Sequence, residues 1–214
     1  IKHYKGDSIL VATGASENMV PFKGWTTPGV IGAGAAQTMM NLHHIKPGNK
    51  VLMLGSGNVG LVVSYQLLQA GCEVVAVVDA APRIGGYGVH AAKIARCGVP
   101  FYLSNTIVEV TGGEAVDGVT IAEVDKSFQF IPGTEKHFDV DTVCVAVGLS
   151  PMAQLLKQAG CKMKDTPGGY IPECDSYGAT SVPGIFAAGD VAGIEEASSA
   201  MIEGRIAGAA IAHY

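Results

Sequence analysis

Residues 51–79 read VLMLGSGNVGLVVSYQLLQAGCEVVAVVD, and this stretch decides the fold. An apolar run ends at Gly55, glycines follow at 57 and 60, an apolar-rich stretch comes next, and a β-branched run closes on Asp79. Strand, glycine turn, helix and strand with a terminal acid form the pattern of a dinucleotide-binding βαβ unit. Gly55 permits the tight turn, Gly57 lets the backbone approach a pyrophosphate, and Gly60 lets helix and strand pack closely. The helix start adds unpaired amides and its positive dipole end. The loop Gly55, Ser56, Gly57, Asn58, Val59, Gly60 is therefore expected to bind NAD, with Asp79 on the adenine ribose. The competing reading, a glycine-rich turn without a ligand, is disfavoured by an acid 24 residues beyond Gly55.

Asp79 also bears on the choice of nucleotide. Its carboxylate accepts from a ribose hydroxyl but repels a 2′-phosphate, at roughly 4 kcal/mol per unit-charge pair for ~4 Å and an effective dielectric of ~20. NAD is favoured over NADP, while Arg83, four residues on, leaves relaxed specificity open.

Similar runs extend outward in both directions: ILVATG (9–14), TVCVAVG (142–148) and GIFAAGD (184–190) read as strands, and helical patterns cover about 29–44, 58–70, 86–97, 151–159 and 195–212. Continuous apolar strands alternating with helices imply an α/β class with a parallel sheet covered on both faces. One segment breaks the rhythm: TIVEV, VTIAEVD and SFQFI, between Thr106 and Val140, alternate and are separated by glycine-containing turns, so a β-meander is expected there.

The 214 residues carry a net charge of −5, 48% hydrophobic and 15% charged side chains, and 29 glycines, which excludes disorder, coiled coil and collagen. No basic footprint for nucleic acid or anionic lipid exists. No apolar run reaches the ~18 residues of a membrane helix, and IKHYKGDS has no signal-peptide core, so the chain reads as cytoplasmic. Cys72, Cys97, Cys144, Cys161 and Cys174 are odd in number and have no CxxC spacing, so they read as free thiols, with Cys72 and Cys144 in the core. No histidine has a partner at metal-ligand spacing, and no metal is expected. His43 and His44 read as a solvated helix end, Glu195, Glu196 and Glu203 as dipole partners rather than acid–base catalysts, and Trp25 as a packing residue or a nucleotide cover. A start on Ile, eight residues before an apolar strand, suggests a piece of a larger protein.

A second candidate site is GIFAAGDVAG (184–193) before a small-residue helix near Glu195. Asp190 either meets a sugar hydroxyl or caps that helix, and these residues alone leave the two readings level.

The order ILVATGAS, GSGNVG with its acid, DTVCVAVGLSP and PGIFAAGDVAG resembles the flavoproteins with two dinucleotide-binding domains, the pyridine nucleotide-disulfide oxidoreductase superfamily. ATGASENMVPFKGWTTPGVIGAGAAQTMMN resembles the FAD-containing subunits of opine, sarcosine and related amine dehydrogenases. The resemblance implies an NAD-binding domain at 28–140 inserted in the C-terminal half of a Rossmann-like FAD-binding domain, residues 1–27 and 141–214. It places Ala12, Thr13, Gly14, Gly189, Asp190 and the helix start at Ala197 against FAD, and Ala146, Val147 and Gly148 at the second crossing, beside the NAD site.

The family's FAD glycine loop does not occur in this sequence, so its FAD site is expected to be incomplete, the isolated chain to be inactive, and the missing half-domain or a partner subunit to complete it. No CxxC lies between residues 28 and 140, which argues against thioredoxin reductase activity. The implied function is hydride exchange between NAD(H) and flavin with no catalytic side chain of its own, in a possible oligomer. The alternative is a non-catalytic NAD-binding module or structural subunit without a functional flavin site.

Overall fold

The computed structural model describes residues 2–214. In chain order the elements are β1 (Ile9–Val11), β2 (Ala15–Glu17), β3 (Val30–Gly32), α1 (Ala33–His43), β4 (Lys50–Leu54), α2 (Asn58–Gln69), β5 (Glu73–Asp79), α3 (Gly88–Arg96), β6 (Phe101–Leu103) and β7 (Asn105–Thr111). There follow β8 (Gly118–Glu123), β9 (Lys136–Phe138), β10 (Thr142–Val145), β11 (Leu149–Pro151), α4 (Gln154–Gln158), β12 (Met163–Thr166), β13 (Gly169–Pro172), β14 (Ile185–Ala187) and α5 (Ala197–Ile211). Two compact units result, one of residues 17–148 and one of residues 1–16 with 149–214. Within the larger unit Lys23 pairs with Glu109 on β7, and β10 lies in the central sheet.

That sheet is five-stranded and parallel, in the order β3-β10-β4-β5-β6. Side chains alternate across it, as strand geometry requires. Val51, Met53, Val77 and Cys144 pack with Leu61, Leu67 and Ile94 of the helices. Leu52, Leu54, Val78 and Val143 pack with Ile107, Val110, Val119 and Ile121 of the antiparallel β7-β8-β9 sheet. Both faces are thereby buried, so the strands read as continuous apolar runs. Leu52→Ala, at a fully buried position, is expected to cost about 2–5 kcal/mol in denaturant unfolding.

Three sequence expectations change. SFQFI (127–131) is not the third meander strand. Asp125 Oδ1 accepts the Ser127 and Gln129 amides at 2.8 and 2.9 Å, which folds the segment into a hairpin turn, and Lys136–Phe138 pairs with β8 instead. The small-residue stretch 29–44 begins with strand β3, fixed only by its pairing to β10. The last helix starts at Ala197 with Glu196 as its N-cap residue, so Asp190, seven residues earlier, does not cap it.

Asp141 was not singled out by the sequence. Its carboxylate accepts the Asn49 amide (2.9 Å), the Asn49 side chain (3.0 Å), the Lys50 amide and the Thr142 hydroxyl (both 3.1 Å), tying β10 to the start of β4. Partial burial opposes ionisation, but these donors outweigh it and hold the carboxyl below the usual carboxylate range. The folded value lies below the unfolded one, so the stabilisation is present above the ordinary value of about 3.9 and is lost as pH falls through the folded value. Asp141→Asn is expected to destabilise by about 1 kcal/mol at neutral pH. In denaturant titrations the gap from wild type closes in acid.

In the smaller unit β1 pairs parallel with β14, β12 antiparallel with β13, and β11 with β2. Val11, Leu156, Cys161, Ala187 and Val191 form its core. Among the described residues no helix is long and apolar enough to cross a membrane. All five cysteines are free, and only Cys97 is exposed. Burial pushes the Cys144 thiol up to about 12, and burial with the Asp175 charge pushes Cys174 to about 11. A thiol-titrating disulfide reagent is expected to modify Cys97 first in the folded protein and Cys144 only after denaturation.

Candidate functional site

A concavity of the larger unit lies at the carboxyl ends of its strands, where ligands of open parallel sheets bind. It is a cavity of about 780 Å³ lined by Gly55, Gly57, Asp79, Ala146, Val147 and Gly148 among others. Six of the ten residues assigned to NAD from the sequence thus share one wall. The remaining four, Ser56, Asn58, Val59 and Gly60, are not among its lining residues.

The glycines divide by role. Gly55 has φ +112°, and a Cβ there would collide with the Ala146 carbonyl oxygen. A Cβ on Gly60 would collide with the Gly55 carbonyl oxygen. Both are demanded by the packing of the chain itself. Gly57, the N-cap residue of α2, has ordinary extended backbone (φ −68°, ψ 175°), and a Cβ there would meet no protein atom within 4 Å. The fold leaves that position open, as a bound diphosphate requires. Helix α2 has no side-chain cap and no acid within its first turn.

Asp79 is turned toward the loop. Its Oδ2 accepts the Ser56 amide at 2.7 Å and the Ser56 hydroxyl at 2.6 Å, and its Oδ1 accepts the Ala81 amide at 2.9 Å. A carboxylate offers about four acceptor sites. Three are used, and the one remaining, on Oδ1, suits a single sugar hydroxyl. Ser56 is fully buried and acts as the prop of that carboxylate. Asn58 Oδ1 accepts the Tyr87 amide at 2.8 Å, fixing the next loop against α2, while Val59 is exposed.

Sequence reasoning missed several neighbours. Asn18, Met19, Val20, Pro21 and Phe22 line the same cavity, as do Thr106, Ile107, Phe128 and Phe130. Glu17 Oε1 accepts the Gly34 amide at 2.6 Å at the start of α1, placing a carboxylate on a positive helix end. No local signal marks these residues, because each acts across a long stretch of chain. Trp25, at 42% exposure, does not line the cavity. His43 and His44 are exposed at the end of α1, as the sequence suggests.

In the smaller unit Ala12, Thr13 and Gly14 follow β1. The Thr13 hydroxyl donates to the Met152 carbonyl at 2.7 Å, and Gly14 has φ +71° with open space where a Cβ would stand. Gly189 (φ +76°) donates its amide to Glu203 Oε2 at 2.8 Å. The Asp190 carboxylate, half-buried, has no hydrogen bond or ion pair among the described residues. Ala197 opens α5, whose N-cap residue makes no side-chain cap. An open glycine corner, an unpaired acid and an uncapped helix start are features that a sugar and a diphosphate fit.

A family model described as pyridine nucleotide-disulphide oxidoreductase matches residues 2–204. The chain is 32% identical to hydrogen cyanide synthase subunit HcnB of Pseudomonas aeruginosa, over 95% of this chain and 47% of that protein. It is 31% identical to an opine oxidase subunit of Agrobacterium tumefaciens, over 94% of this chain and 42% of that one. The chain thus spans less than half the length of either relative. Among solved structures, T. acidophilum thioredoxin reductase superposes with a TM-score of 0.78 at 23% identity, covering 97% of this chain and 66% of that one, a likeness of fold. An FAD-dependent pyridine nucleotide-disulphide oxidoreductase from Desulfovibrio vulgaris gives 0.76 at 25% identity, over 98% and 55%.

Proposed function

The chain belongs to the pyridine nucleotide-disulphide oxidoreductase family, and from that premise we propose that it is the NAD-binding domain and part of the FAD-binding domain of an FAD-dependent oxidoreductase. The observation that carries the proposal is the open backbone at Gly57 beside the Ser56-propped carboxylate of Asp79. Gly57 and the uncapped end of α2 hold the diphosphate, Asp79 holds the adenosine ribose, and Gly55, Ala146, Val147 and Gly148 form the wall. In the smaller unit Ala12, Thr13, Gly14, Gly189, Asp190 and Ala197 hold FAD, the rest of whose site comes from further chain or from a partner beyond these residues. When both cofactors are bound they supply hydride transfer between nicotinamide and flavin, and the protein supplies position. No side chain of this chain is assigned a proton. The absence of CxxC between 28 and 140 argues against thioredoxin reduction by these residues. The names of the relatives, subunits of hydrogen cyanide synthase and of opine oxidase, support a multi-subunit setting.

The test is a titration of the intact protein with NADH and NADPH while flavin absorbance is followed. Tight NADH binding with bleaching of the flavin is expected. A colourless protein that still binds NADH would be a nucleotide-binding module without flavin chemistry, and one that binds neither nucleotide would overturn the reading.

A further inference from the structure

We propose that the hairpin between β8 and β9 is an aromatic clamp for the adenine ring, with Phe128 as its stacking surface. The proposal rests on the NAD reading above. Phe128 sits in the left-handed region at φ 58°, is 67% exposed, and lines the cavity together with Phe130. Neither the backbone nor burial rewards a phenylalanine there. The turn is built without it: Phe128 donates its amide to the Asp125 carbonyl at 3.0 Å, and the Asp125 carboxylate holds the amides on either side. Glycine or asparagine is what such a turn selects. An exposed aromatic ring in a strained conformation at a cavity mouth is therefore read as a ligand contact.

The topology says which part of the ligand. Along the sheet the cavity runs from Ala146–Gly148 after β10, past the glycine loop after β4, to Asp79 at the end of β5. The next strand outward is β6. The Val124 amide at the hairpin root donates to the carbonyl of Ser104, which directly follows β6, at 2.8 Å, and the Ser104 amide donates to the Ala81 carbonyl at 2.9 Å. The hairpin is thus pinned beyond Asp79, on the side away from β10. With the diphosphate on α2 and the ribose on Asp79, the adenine is the group that reaches it. A flat heteroaromatic ring stacks on a phenylalanine face without needing a matched hydrogen bond.

ADP-ribose binding to the intact protein, measured by calorimetry, tests this. Phe128→Gly suits the backbone and is expected to keep the melting temperature at or above wild type while weakening ADP-ribose about tenfold. Phe128→Leu, which keeps bulk without a ring, is expected to weaken it similarly. Phe128→Trp is expected to retain affinity and to gain indole fluorescence that ADP-ribose quenches, a signal that a purely structural role would not produce. Wild-type affinity in Phe128→Gly and Phe128→Leu, or an unquenched indole in Phe128→Trp, would overturn the clamp while leaving the NAD reading intact. Failure of wild type itself to bind ADP-ribose overturns both.

Discussion

Gly55→Ala is expected to be the most damaging single substitution in the nucleotide loop, while Gly57→Ala, two residues away, leaves the fold intact. At Gly55 the added methyl must accept a backbone at φ +112° and displace the Ala146 carbonyl, whose residue also donates its amide to Leu54. Strain of about 1–3 kcal/mol and overpacking of similar size make a loss of about 3 kcal/mol or more. Gly60→Ala pushes on the Gly55 carbonyl in the same way, with part of the cost offset by the roughly 1 kcal/mol helix preference of alanine over glycine. At Gly57 the backbone is allowed and the space is open, so the melting temperature is expected to stay near wild type. NADH affinity is expected to fall tenfold or more, because the methyl occupies the approach of the diphosphate. Thermal melts and NADH titrations of the three variants separate a glycine kept for packing from one kept for a ligand. Equal stability losses at 55 and 57, or undiminished binding in Gly57→Ala, would contradict the assignment.

Asp79→Ala is the second large effect, and it acts on two levels. It removes three accepted hydrogen bonds and strands the Ser56 amide and hydroxyl in a fully buried position, at about 1–3 kcal/mol for groups left without partners. It also removes the negative charge that opposes a 2′-phosphate. NADH binding is expected to weaken by one to two orders of magnitude and the preference for NADH over NADPH to collapse. Asp79→Asn keeps one acceptor for Ser56 and is expected to preserve much of the stability while losing the same preference. The comparison of the two variants apportions the effect between propping the loop and reading the nucleotide. An unchanged preference in both would remove Asp79 from specificity.

The path from sequence to site was clearest where the chemistry is local. Strand β5 occupies Glu73–Asp79, the same seven residues as the β-branched run, and α2 begins one residue after the second glycine, because apolar continuity and glycine conformations act within a few residues. Strand β3 was hidden: Val30, Ile31 and Gly32 are too few to show a strand period and run straight into helix α1, and they are held as a strand by pairing with β10, over a hundred positions later. The meander illustrates the same limit, since SFQFI has the composition of a strand, yet Asp125 captures two of its amides and the register passes to Lys136–Phe138.

The sequence by itself determined the α/β class, the βαβ unit, its glycine loop and the acid that ends it, all properties of short-range periodicity and backbone freedom. Only the tertiary structure decided that Gly57 faces open space while Gly55 and Gly60 do not, that Ser56 props Asp79, and that Phe128 and Phe130 line the same cavity as the loop. The physical reason is that collision, hydrogen-bond geometry and shared cavity walls are relations between atoms that the chain brings together from distant positions, and no local pattern encodes them.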